Sequence, residues 1–132
     1  MIGVDTNVLL RLIVDDHEEQ RAAARSFFAS RTARDPAFVS STVLAELIWL
    51  LRRRFRYSND AILGVLRAMV STNELRFEHG DHLRAFLEDD DRTPSDLADA
   101  LIGWACAAAK CEKVVTFDKR SALLIPSMEL LS

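Results

Sequence analysis

Apolar residues along this chain fall into two patterns. Some form short unbroken runs, and others return every three or four positions through longer stretches. The runs read as strands: Met1 to Val4, Ala37 to Val39, Leu75 to Phe77 and Lys113 to Phe117, with Pro126 to Leu131 as a further edge strand. The periodic stretches read as helices: Val8 to Val14, His17 to Ser30, and a long one capped by Ser40, Ser41 or Thr42 that runs to about Arg54. More follow from Ser58 to about Val70, from Asp81 to Glu88, and from Thr93 to about Lys110. The last has a strong start, with Thr93 as cap, Pro94 at the first helical position and Asp96 two residues on, where its charge meets the positive end of the dipole. It is apolar nearly all round and is expected to be central and buried, with Trp49 and Trp104 also expected in the core.

Strands alternating with helices predict an α/β fold, three-layer α/β/α around a central, mostly parallel sheet. The length of 132 residues fits one domain spanning 1–132, with no internal repeat or linker. Composition changes this picture little. Hydrophobic residues at 49% and charged residues at 28% are those of a globular chain able to bury a core. The net charge of −3 gives no bulk sign of a nucleic-acid binder, although local arginines such as Arg52, Arg53, Arg54 and Arg56 change the field at a site. The two cysteines, Cys106 and Cys111, match no zinc spacing and predict reduced thiols in a cytoplasmic protein. No stretch approaches the roughly 18 apolar residues of a membrane helix, and no signal peptide is evident.

The candidate chemistry lies in four acids set beside or inside apolar segments: Asp5, Glu46, Asp99 and Asp118. A carboxylate near a core is costly unless it is paired or bound to a cation. Asp5 and Asp118 fall at the carboxyl ends of expected strands, where open α/β sheets build their sites, and Glu46 lies near the start of the helix after the second strand. Clustered carboxylates repel one another, and a hard divalent ion relieves that conflict. An oxygen-only donor set suits Mg²⁺ or Mn²⁺, and phosphodiester hydrolysis is the chemistry such an ion supports. Plainer readings stand beside these: Asp5 as a helix cap, Glu46 paired with Arg52 or Arg53, Asp99 in a structural ion pair, Asp118 as a turn residue. The Arg52–Arg56 cluster is either a grip for RNA phosphates or a solvated helix end. A phosphotransfer receiver would need two adjacent acids after the first strand, and a dinucleotide fold a glycine-rich turn; this chain has neither.

Four segments together carry a family resemblance: Val4-Asp5-Thr6-Asn7-Val8-Leu9, Ser40 to Leu51 around Glu46, Asp96-Leu97-Ala98-Asp99-Ala100-Leu101-Ile102, and Val114-Val115-Thr116-Phe117-Asp118-Lys119. In this order they resemble the PIN-domain ribonucleases, in particular VapC-type toxins of bacterial toxin–antitoxin pairs, almost end to end. The resemblance implies a Mg²⁺- or Mn²⁺-dependent endoribonuclease. Asp5, Glu46, Asp99 and Asp118 would be its catalytic and metal-binding acids. Asp5 and Asp99 would be the direct ligands, while Glu46 and Asp118 would hold water on the ion or a second ion. Thr6, Asn7, Asp96 and Thr116 would support them. It further implies an RNA substrate, a cognate antitoxin and a homodimer. Leu12, Phe27, Phe28 and Trp49 are as open to such contacts as to the core. The competing expectation is a non-catalytic PIN-like module that binds RNA or protein.

Overall fold

Hydrogen bonding by capping side chains sets where most helices begin. The computed structural model describes residues 1–131. Among them are strands β1 (Ile2–Gly3), β2 (Ala37–Val39), β3 (Leu75–Phe77), β4 (Val114–Thr116) and β5 (Met128–Leu130). The helices are α1 (Thr6–Ile13), α2 (Glu18–Ala29), α3 (Ser41–Arg53), α4 (Asn59–Val70), α5 (Gly80–Leu87), α6 (Pro94–Ala108) and α7 (Lys119–Leu124). Asp5 caps α1, so that helix starts two residues earlier than its apolar pattern suggests. Ser40 accepts from the Val43 N–H and Ser58 from the Ala61 N–H, each satisfying an N–H that the helix itself leaves unbonded.

The chain forms two compact units, Met1–Asp90 and Asp91 onward. In the first, the strands pair in parallel in the order β1-β2-β3, with Ile2 beside Ala37 and Ala37 beside Leu75. Parallel neighbours require long crossovers, and α1 with α2, then α3 with α4, supply them. The core of this unit is aliphatic. Leu9, Leu10, Val39, Leu44, Leu47, Leu51, Ile62, Leu66 and Leu83 are all essentially inaccessible. On α3 the buried positions 44, 47, 48 and 51 make one stripe.

In the second unit β4 and β5 pair in parallel, Val114 beside Met128. The crossover between them holds α7, a helix the apolar pattern does not predict. At six residues it is too short to show a period, yet two parallel strands cannot be joined without such a crossover. Gly103 lets α6 come close to the chain before β5: a Cβ there would lie 3.1 Å from Ser127 Oγ and 3.3 Å from the Ile125 side chain. A Schellman closure ends α6, with the Cys111 N–H on the Cys106 carbonyl, the Lys110 N–H on that of Ala107, and Lys110 left-handed at φ 68°.

The α/β class and its parallel pairing agree with the sequence. Two burial expectations do not hold. The helix α6 is not buried all round: Leu97, Ala100 and Leu101 are inside, whereas Ile102 is 52% exposed. Its alanines blur the pattern, because they are apolar in sequence but small enough to sit in solvent at little cost. Trp49 is not core either, at 59% exposed, because it falls opposite the 44–47–48–51 stripe of α3. These two environments predict opposite outcomes for neighbouring truncations. Leu47→Ala is expected to destabilise the protein by about 2–5 kcal/mol, and Trp49→Ala by no more than about 0.5 kcal/mol. Urea unfolding midpoints measure both, and equal losses would show that Trp49 is packed.

Candidate functional site

The first unit carries Asp5 and Glu46. Asp5 sits just past β1 in extended backbone, and its Oδ1 accepts the Thr6 N–H at 2.8 Å. The capping reading of Asp5 is therefore correct as far as one oxygen goes; the second has no protein partner among the described residues. Thr6 is 2% exposed, and its N–H holds the Asp5 carboxylate in place. Asn7 is exposed in the first turn of α1. Glu46 is exposed in the second turn of α3, and no hydrogen bond or ion pair engages it among the described residues. Its suggested pairing with Arg52 or Arg53 does not occur.

β1 and β2 are parallel neighbours, so Asp5 and the N-terminus of α3 arise at the same carboxyl rim of the sheet. A further acid belongs to this rim. Glu78 follows β3, and its Oε1 accepts the Ser41 N–H at 2.7 Å, which holds its carboxyl below the usual range. No local pattern signals this, because the bond joins residues 37 positions apart. A mostly apolar groove of about 460 Å³ runs beside Asp5, walled by Val4, Val8, Ala24 and Phe27 among others.

The second unit carries Asp96, Asp99 and Asp118, and it brings two of them together. Ser121 Oγ donates to Asp99 Oδ2 at 2.7 Å, while the Ser121 N–H donates to Asp118 Oδ1 at 2.9 Å. A single buried serine, 3% exposed, thus ties both carboxylates. The turn before α7 is fixed as well, because Thr116 Oγ1 accepts the Asp118 N–H at 3.0 Å. Asp118 is the N-cap of α7, so the turn-residue reading becomes a capping role. Asp99 and Asp118 each keep one carboxylate oxygen without a hydrogen-bond partner among the described residues. In sequence Ser121 is only a small polar residue three positions after an acid, and nothing links it to Asp99.

Asp96 differs from these. Its side chain is only 5% exposed and both of its oxygens are engaged. Arg120 Nε donates to Oδ1 at 2.7 Å, Arg120 Nη2 to Oδ2 at 2.9 Å, and the Thr93 N–H to Oδ2 at 2.9 Å. The Asp96 N–H returns a bond to Thr93 Oγ1 at 3.2 Å, completing a capping box. Asp96 therefore supports the start of α6 and has little capacity left for an ion. Within either unit no three acidic, histidine or cysteine side chains come together as a metal-holding group among the described residues. The four candidate acids are divided two and two between the units.

The Arg120 hydrogen bond, opposed by burial and reinforced by the Thr93 N–H, lowers the Asp96 carboxyl from 3.8 to about 2. A group whose pKa falls on folding adds stability above its unfolded value and loses it as the pH drops through the folded one. The Asp96 contribution, about 2 kcal/mol, should be complete above about pH 4 and vanish toward pH 2. In Asp96→Asn the stability at neutral pH should fall by that amount, and the loss between pH 4 and pH 2 should flatten. Urea titrations at stepped pH check this; an unchanged slope in the variant would show that the acid sensitivity arises elsewhere.

A family model described as PIN domain matches residues 2–124. The match crosses both units and includes all four candidate acids. No curated protein matches the chain. PIN domains are in general nucleases and typically use divalent metal ions, and open carboxylate oxygens, on Asp5 and Glu46 in the first unit and on Asp99 and Asp118 in the second, are the donor type such ions take. With residues 2–124 of its 132 inside that match, the chain belongs to the PIN domain family and has a nuclease-type fold.

Proposed function

We propose that this protein is an endoribonuclease dependent on Mg²⁺ or Mn²⁺, hydrolysing RNA phosphodiester bonds with Asp5, Glu46, Asp99 and Asp118 as its acids. One observation carries the reading beyond family membership. None of these four carboxylates forms an ion pair with an arginine, lysine or histidine among the described residues, whereas Asp15, Asp16, Asp35, Asp96 and Glu129 all have a cationic partner. Other surface acids, Glu18, Glu19 and Glu112 among them, have no ion pair among the described residues either; what marks this set is that Asp5 and Asp118 cap helices at strand ends and that Ser121 ties Asp118 to Asp99.

A hard divalent ion, when bound, activates water for attack at phosphorus and offsets the charge that builds on the phosphoryl oxygens. The protein's own contribution is orientation. Thr6 fixes the Asp5 carboxylate through its backbone N–H. Ser121 holds the carboxylates of Asp99 and Asp118, and Thr116 holds the Asp118 backbone. Asp96, locked to Arg120 and Thr93, secures the first turn of α6, in which the chain reaches Asp99 three residues later. This makes Ser121 a positioning residue for two acids at once.

The biological setting we propose is that of a toxin in a type II toxin–antitoxin pair. It would be cytoplasmic, homodimeric and silenced by a cognate antitoxin. The resemblance to VapC-type toxins supports this part. No helix among the described residues is long and apolar enough to cross a membrane.

Asp5→Asn and Asp99→Asn should each lower RNA cleavage by about 10²–10⁴-fold while leaving the thermal midpoint near that of the wild type. Ser121→Ala should lower cleavage by about 10–100-fold, and Ser121→Thr, which keeps the hydroxyl, should recover part of it. Cleavage of labelled RNA in millimolar Mn²⁺ or Mg²⁺, with calorimetric binding of Mn²⁺ as a second readout, tests these outcomes. A partner-free protein that binds neither ion and cuts no RNA would instead be a non-catalytic binding module.

A further inference from the structure

The solvent face of α3 combines three chemistries that the catalytic reading uses only in part. Its exposed positions are Thr42, Glu46, Trp49, Arg52 and Arg53, spaced by three or four residues along one side of the helix. Seven residues separate Glu46 from Arg53, a rise of roughly 10 Å. Between them Trp49 stands 59% exposed, although tryptophan is highly buried on average. Past the helix end, Arg52, Arg53 and Arg56 wall a polar cavity of about 390 Å³.

Arg11, Arg21, Arg31, Arg67, Arg84 and Arg120 are each paired with a carboxylate. Arg53 and Arg56 have no such partner among the described residues. Arg56 also occupies left-handed backbone, φ 60°, where glycine would be easier. The turn there is closed by the Phe55 N–H on the Leu50 carbonyl and the Tyr57 N–H on that of Leu51. Glycine would make the same turn without strain but would remove one wall of the cavity.

We propose that this face is a track for single-stranded RNA. Backbone phosphates occupy the Arg52–Arg53–Arg56 cavity, a base stacks on Trp49, and the strand is led along α3 toward Glu46. The choice of RNA rests on the nuclease reading; the fit to a flexible polyanion carrying flat bases rests on the face itself. Arginines supply the salt-dependent grip on phosphates, and an exposed indole supplies a stacking platform that accepts any base.

The test uses the full chain and a short, unstructured, fluorescein-labelled oligoribonucleotide in EDTA, so that binding is read without cleavage. Anisotropy is followed across a salt series. Arg53→Ala combined with Arg56→Gly is expected to weaken binding about tenfold or more. It should also lower the slope of log K against log salt by roughly 0.7 for each phosphate that the arginines no longer neutralise. Trp49→Ala is expected to weaken binding by a similar factor with the slope unchanged, since stacking carries no counterion term. Arg56→Gly alone should leave the thermal midpoint unchanged or higher, so reduced binding cannot be blamed on unfolding.

Variants that bind with wild-type affinity and slope would overturn the track, as would a wild-type chain that binds no RNA. So would variants that only dissociate a dimer in sedimentation, which would assign the face to a second copy. The two readings separate in the same experiment. Arginine-dependent binding with no cleavage in Mn²⁺ supports the track and sinks the nuclease. Cleavage whose KM ignores all of these substitutions supports the nuclease and sinks the track.

Discussion

Parallel strand pairing is the constraint on which the rest of this structure depends. A parallel strand cannot turn back on itself, so it must run into a crossover at its carboxyl end. Here β1, β2, β3 and β4 each reach a helix within about three residues. Every such helix begins with N–H groups that have no partner inside it. An acid or hydroxyl at the junction is the simplest remedy, and Asp5, Ser40 and Asp118 provide it. The residues best placed to cap are therefore also the residues at the rim where α/β folds place their chemistry. A carboxylate has two oxygens, so capping and function need not compete. Asp5 and Asp118 each use Oδ1 on a helix N–H and leave Oδ2 open.

That division explains why acids of similar appearance differ in role. Asp96 and Asp99 lie one turn apart on α6, both inside an apolar stretch of sequence. Asp96 receives a bidentate guanidinium and a backbone N–H, so its lone pairs are largely committed and its negative charge is balanced. Asp99 receives one neutral hydroxyl, which orients it without balancing its charge. Arg120 and Ser121 are adjacent on α7, and each serves one of these acids. The short crossover helix thus treats the two carboxylates differently: it balances the charge of one and only orients the other.

Much of this is legible in the sequence, and the parts that are not share a cause. β2 and β3 lie at the predicted positions, and Thr93-Pro94-Ser95-Asp96 forms the helix start its residues imply. These features rest on neighbours within four positions. The helix α7 leaves no periodic trace because six residues do not complete two turns. Glu78 on Ser41, Arg120 on Asp96 and Ser121 on Asp99 join residues 37, 24 and 22 positions apart. Nothing local distinguishes those three from ordinary polar surface residues. Trp49 departs from expectation for a different reason. Hydrophobicity alone points it inward, whereas the spacing of Leu44, Leu47, Ile48 and Leu51 already commits the opposite side of α3 to the core.

The exposure of Trp49 also bears on how an acidic chain can handle a polyanion. A net charge of −3 argues against nucleic-acid binding only if charge is spread evenly. It is not: arginines gather at the end of α3 while Glu46 stands in its second turn. The four candidate carboxylates stand at strand ends and within two helices, while Arg53 and Arg56 stand at the far end of α3 from its N-terminal rim. On that one helix a carboxylate suited to a cation and guanidinium groups suited to phosphate are held roughly 10 Å apart by helical rise alone. An arginine three or four positions from Glu46 would pair with it and, on the proposed reading, take its place from a cation, whereas arginines on another face could not share a strand with it. The helix keeps both charges usable, and its buried aliphatic stripe keeps their spacing fixed.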